Sequence, residues 1–218
     1  LANRLLRRIS HAAAQSAAQT GGLVSKAVEA VRNEARSALL LMDLMPIVVP
    51  AFGGDDELLA RLAGAAEVAR RSDIDVIHVR VLFRDGYPEV ASTNKIFGVV
   101  TANFDFTEKN PATEVHHALR PRESDILVTK RRVSAFAGSD LEMILRSRRI
   151  QTLVLAGVAT SGVVLSTLRA AADLDYHIKV LSDGCADGDT AVHRMLLENV
   201  FPAHADVLTV DEWVTGLS

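Results

Sequence analysis

Short apolar runs along this chain alternate with stretches in which apolar residues recur every three or four positions. The first run, Ser37 to Asp43, is a continuous Ala-Leu-Leu-Leu-Met closed by a carboxylate, the pattern of a strand buried on both faces. Pro46 and Pro50 forbid a regular helix directly after it. Asp55 or Asp56 then caps a helix whose Leu58, Leu59, Leu62, Ala66 and Ala69 share one face. Asp75 to Leu82 reads as a second strand, so the opening is β-α-β. Phe83 to Pro111 keeps neither period, and a segment of that length is expected to be either a lid or binding loop over the pocket or an excursion that only packs over the sheet edge. A short helix is predicted over Glu114 to Leu119, a strand over Asp125 to Lys130, and a helix over Leu141 to Ser147 capped by Ser139 or Asp140. A core strand ending at Gly157 follows, with a helix running to about Leu174. Strands at His177 to Ser182 and Asp206 to Val210 enclose a helix near Asp189 to Val200, and a final helix carries Trp213. This alternation predicts an α/β fold over residues 37–218, three-layer α/β/α with a Rossmann-like, mostly parallel sheet.

The 218 residues suffice for one domain with a substantial core. Residues 1–36 differ in composition, with Arg4, Arg7, Arg8 and Lys26 preceding the first acid, Glu29. Acid-poor, Arg-rich starts occur in organelle transit peptides. The simpler expectation is an N-terminal helical arm broken at Gly21-Gly22, packing on the domain or on a neighbouring subunit. A net charge of -3 gives no electrostatic footprint for nucleic acid or an anionic membrane. Cys185, the single cysteine, excludes an internal disulfide framework and suits a reducing compartment. No apolar run is long enough to span a bilayer. The expectation is a cytoplasmic protein whose partner is a small-molecule substrate, with no nucleic acid and no membrane.

Candidate chemistry gathers at strand ends. Thr152 to Arg169 is an apolar strand, then Gly157-Val158-Ala159-Thr160-Ser161-Gly162-Val163, then a helical pattern. Thr160 and Ser161 are good N-cap residues. The first amides of such a helix face the carboxyl edge of the sheet, where open α/β folds bind ligands and where an oxyanion can be stabilised. Asp43 and Lys130 end two other strands at that edge. A carboxylate and an ammonium brought together there hold each other charged and poise one for proton transfer; a structural ion pair is the plainer alternative. Phe83, Arg84 and Tyr87 in the long loop, with Phe136, are candidates to bind substrate. The polar, partly basic edge formed by Arg84, Lys130 and Arg131 suggests an anionic one. Neither a metal nor another cofactor is expected, since His116 and His117 are adjacent and diverge on a helix, and the other histidines are scattered.

Several of these stretches resemble the isochorismatase-like, or cysteine hydrolase, superfamily. The resemblance rests on Ala38 to Asp43, on Leu127 to Lys130 with Ser134-Ala135-Phe136, and on Gln151 to Asp183 with its Gly-Val-Ala-Thr turn; together it covers about residues 37 to 210. It implies that Asp43 is the acid/base carboxylate, that Lys130 pairs with it, and that the Val158-Ala159 bond is a non-proline cis peptide. It also implies an oxyanion hole at the amides near Gly162 and Val163, and assembly as a homo-oligomer, dimer or tetramer.

One position departs from the family pattern. Members typically read Gly-Val-Ala-Thr-x-x-Cys-Val at this junction, and the nucleophilic cysteine is replaced by Val163. Covalent catalysis through a thiolate cannot start from valine. Two readings follow. One is an isochorismatase-family hydrolase acting on a small, anionic metabolite by Asp43/Lys130 acid-base catalysis, as the family's cysteine-free isochorismatases hydrolyse a vinyl ether. The other is a catalytically silent relative that binds a small molecule or serves in assembly.

Overall fold

The computed structural model describes residues 36–217. The expected N-terminal arm lies outside the described residues except for Arg36, which opens the first strand. Among the described residues the strands β1 (Arg36–Met42), β2 (Asp75–Val81), β3 (Ile126–Lys130), β4 (Ile150–Val158), β5 (His177–Ala186) and β6 (Asp206–Leu208) form one sheet of order β3-β2-β1-β4-β5-β6. Every pairing is parallel. The helices are α1 (Asp56–Arg71), α2 (Lys95–Asn103), α3 (Leu141–Ser147), α4 (Leu165–Asp173), α5 (Thr190–Met195) and α6 (Val210–Thr215).

Strand alternation sorts the core into two layers. In β1, Leu39 and Leu41 pack with α1 and α6, while Ala38, Leu40 and Met42 pack with α3 and α4. Both faces are covered, which is why the strand reads as an unbroken apolar run. Helix α1 starts where the Asp55 carboxylate accepts the Leu58 amide at 2.8 Å. Asp56 and Glu57 occupy its first turn and Arg70 and Arg71 its last, each sign set against the helix dipole. Its buried stripe of Leu58, Leu59 and Leu62 contributes about 1.5–3 kcal/mol per leucine.

Connectivity places the site. Strands β1 and β4 are neighbours, but the chain leaves β1 for the α1 layer and leaves β4 for the α4 layer. A crevice opens at the carboxyl ends of two such strands. Asp43 is the residue after β1 and Ala159 the residue after β4. The strands converge closely: a Cβ on Gly157, whose φ is +142°, would lie 2.1 Å from the Met42 carbonyl oxygen. Only glycine permits that approach.

The segment from Phe83 to Pro111, expected to be a loop, contains α2. The helix predicted over Glu114 to Leu119 is instead a 3-10 turn at His117–Leu119, preceded by another at Pro111–Thr113 and followed by Arg120 in the left-handed region. Strand β5 runs four residues beyond its expected end at Ser182, so Cys185 lies inside it, paired with Gly157.

Candidate active site

Lys130 ends β3, two strands away from β1. At strand spacing that separation is about 10 Å, which a long side chain crosses over the end of β2. Its Nζ lies 2.9 Å from Asp43 Oδ2 and donates to the Arg132 carbonyl oxygen at 3.0 Å. Asp43 sits in the left-handed region at φ 55°, a conformation that Asp tolerates better than most side chains. Its amide donates to the Val79 carbonyl at 2.8 Å, so the carboxyl group projects from the end of the sheet with a fixed backbone. Lys130 is 1% and Asp43 7% exposed. Burial raises the Asp43 carboxyl above its ordinary pKa, against the charge and hydrogen bond of Lys130, which lower it. The second oxygen, Oδ1, is buried and has no hydrogen-bond partner.

Asp43 and Lys130 share a cavity of about 370 Å³ with Ala159, Ser161, Gly162 and Val163 of the turn after β4. Phe97 and Phe106 stand on its wall, and Ile96 and Phe52, both partly solvent-exposed, lie at its rim. The Val158-Ala159 peptide is cis. Residues Thr160–Val164 form one π-helical turn leading into α4.

Thr160 does not act as the expected cap. Its hydroxyl lies 3.1 Å from the Ala186 carbonyl oxygen, to which it donates, and 2.8 Å from His193 Nδ1. The Ser161 amide donates to Asp187 Oδ2 at 2.7 Å and the Gly162 amide to the Ala159 carbonyl at 3.1 Å. The turn is therefore held from outside by Asp187 and His193, two residues that sequence reasoning missed. Burial lowers the His193 pKa, with Asp187 acting the other way. An Asp beside a helix start is a weak local signal for Asp187, and nothing near His193 in sequence marks it.

Val163, which the resemblance set at the family's nucleophile position, holds no reactive atom. Val163 is 2% exposed and packs into the α4 layer. Cys185 is buried, and its thiol is pushed up to about 12 by that burial. Thr167, also buried, accepts the Ala135 amide at 2.9 Å.

The four residues expected to bind substrate lie outside the cavity lining. Phe83 lies two residues beyond the end of β2, stays in the core layer and packs edge-on to Tyr87 and Phe97 at 6.0 and 5.2 Å. The Tyr87 hydroxyl donates to the Phe104 carbonyl and accepts the Phe106 amide. Phe136 stacks on Tyr176. Arg84 pairs with Glu89 at 2.6 Å, and Arg131 donates to the Leu82 carbonyl at 2.7 Å. The basic edge that suggested an anionic substrate is thus turned to internal partners. His116 and His117 stack at 4.7 Å instead of diverging, because they lie at a 3-10 turn and not on an α-helix. Among the described residues no group of three or more His, Cys, Asp or Glu could hold a metal ion.

Residues 37–212 match the isochorismatase domain family. The chain belongs to the isochorismatase family. Across 192 residues this isochorismatase-family chain is 32% identical to the uncharacterized isochorismatase family protein YecD of Escherichia coli O157:H7, covering 85% of the chain and 98% of that protein. It is 39% identical over 101 residues to the ureidoacrylate amidohydrolase RutB of Variovorax paradoxus, a match that spans 46% of the chain and 40% of the relative. An isochorismatase family protein from Burkholderia thailandensis superposes with a TM-score of 0.74 at 26% identity, covering 83% of this chain and 95% of that structure. No helix among the described residues is long and apolar enough to cross a membrane.

Proposed function

We propose that this isochorismatase-family chain is a hydrolase of a small molecule, using Asp43 as acid and base, Lys130 as its charge partner and water as the attacking group. The observation that carries the reading is the buried 2.9 Å Asp43–Lys130 pair opening on a 370 Å³ cavity. A carboxyl group with a raised pKa gives up and recovers a proton near neutrality more readily than an ordinary one. Asp43 in its acid form delivers its proton to the leaving nitrogen of an amide, or to the terminal alkene carbon of a vinyl ether. Water adds to the carbon, and the Asp43 carboxylate takes the proton that water sheds, restoring the acid. Asp43 lines the cavity and keeps 7% of its surface exposed, so its carboxyl group is the one placed for both transfers. Lys130 keeps the carboxylate form accessible in a buried site. The amidohydrolase name of RutB supports an amide as the bond cleaved. The cysteine-free isochorismatases that the sequence resembles support a vinyl ether.

A silent binding protein is the second reading, favoured by Val163 in the nucleophile position and by Asp187 already occupying the Ser161 amide. Against it, Asp43 and Lys130 share one cleft with the turn. The test is purified protein on amides, carbamoyl compounds and vinyl ethers, with Asp43→Asn and Lys130→Ala in parallel. Turnover that both substitutions reduce by about 10²–10⁴ supports the hydrolase; turnover that survives both removes these residues from the chemistry, and no turnover on any substrate class favours the silent reading. A dimer or tetramer belongs to the same proposal, and light scattering on the purified chain tests it.

A further inference from the structure

We infer that the molecule bound in this cavity is uncharged, with an apolar body and one neutral hydrolysable group, and is not a second-carboxylate acid. The inference rests on the hydrolase reading for the position of that group and on the cavity wall for the rest. Beyond the turn, the wall consists of apolar side chains, among them Val81, Phe97, Val100, Phe106 and Val133. Phe97 is held edge-on against Phe83, and both are buried. The wall is thus fixed before anything binds, which favours a complementary apolar ligand.

Among the described residues that line the cavity, Asp43 and Lys130 are the ionisable ones. As carboxylate and ammonium, 2.9 Å apart, they neutralise each other, and no other lining cation is left for a further anionic group. The arginines nearest in sequence have other partners: Arg84 pairs with Glu89, Arg131 reaches the Leu82 carbonyl, and Arg132 donates to the carbonyls of Arg131 and Glu89. A carboxylate against this wall loses its hydration and gains no partner. A phenyl or alkyl body in the same place gains from leaving water.

The test compares three amides on the wild-type protein by calorimetry, ligand-induced melting shift and initial rate. 3-Phenylpropanamide carries a ring, succinamate carries a carboxylate in its place, and succinamide is the neutral polar control. The expected result is that the phenyl amide binds roughly tenfold or more tightly than succinamate, with succinamide between. Phe97→Ala should weaken the phenyl amide by roughly tenfold and leave succinamate unchanged. Ile96→Arg, at an exposed rim position, should bring a cation to the cavity mouth and raise succinamate affinity by about tenfold. Succinamate binding as tightly as the phenyl amide, or no binding of the phenyl amide up to its solubility, overturns the inference. Selective binding without turnover removes the amide form of the hydrolase reading and leaves the ligand class standing. Turnover without selectivity does the reverse.

Discussion

Replacing Lys130 by Met keeps much of the side chain's length but removes the ammonium from a site that is 1% exposed. Burial already lifts the Asp43 carboxyl above its ordinary 3.8, and Lys130 supplies both influences that lower it. Without Lys130 the folded-state pKa rises further. Below the unfolded pKa, Asp43 carries its proton in folded and unfolded chains alike, and the variant has no ion pair to lose. Wild type at that pH holds a buried ammonium beside a neutral acid, so the variant should match it or exceed it. As pH rises, the stability contributed by the raised group is lost through its folded pKa, and that loss continues to higher pH in the variant. The deficit therefore begins where wild-type Asp43 ionises and ends where the variant's does, growing by about 1.4 kcal/mol per pH unit between them. It levels off at about 3–5 kcal/mol, the cost of breaking a buried pair. Urea unfolding followed by circular dichroism from pH 4 to 8 measures it. The double variant Asp43→Asn with Lys130→Met removes the titrating pair, and should be more stable than the single variant at pH 8 without its pH dependence. A deficit equal at pH 5 and pH 8, or a double variant weaker than the single, would refute this account of the pair.

Cys185 is buried, with its thiol pushed up to about 12, so the native protein should not react with a thiol reagent at pH 8 over an hour, while the denatured chain titrates one thiol; rapid native labelling would contradict the packing around β5. Gly157→Ala places a Cβ 2.1 Å from the Met42 carbonyl oxygen at a φ of +142°, and should cost more than about 3 kcal/mol or prevent folding, read from expression and denaturant melts. Gly64→Ala, in α1 with nothing within 4 Å of the added atom, should stabilise by about 0.5–1 kcal/mol in the same melts. Thr209→Ala removes a capping box at the start of α6 and should cost about 1 kcal/mol.

Strands were the legible part of the sequence because burial on both faces leaves runs such as Ala38 to Met42 with no polar interruption. Asp43 and Lys130 stood out because a charge that ends such a run lies at the sheet edge. Helix α2 did not. Its Lys-Ile-Phe-Gly-Val-Val-Thr-Ala-Asn contains Gly98, Val99, Val100 and Thr101, all poor helix formers. The helix forms because Asn94 caps it, accepting the Phe97 amide at 2.9 Å, and because Phe97 docks in the core. Which aromatics reach the cavity was equally hidden: Phe83 and Tyr87 come first in the segment, but the chain reaches the cavity only at Phe97 and later at Phe106. The hold that Asp187 and His193 keep on the turn joins residues 26 and 33 positions apart, a pairing that local patterns do not encode.

The order of the strands has a corollary for position 163. The hollow between β1 and β4 is made by two chain segments turning away from each other, and no side chain at position 163 is needed to keep it open. Valine at 163 therefore sits in the wall of a vessel whose shape the strand order sets, and on the proposed reading its chemistry rests on Asp43 and Lys130 instead.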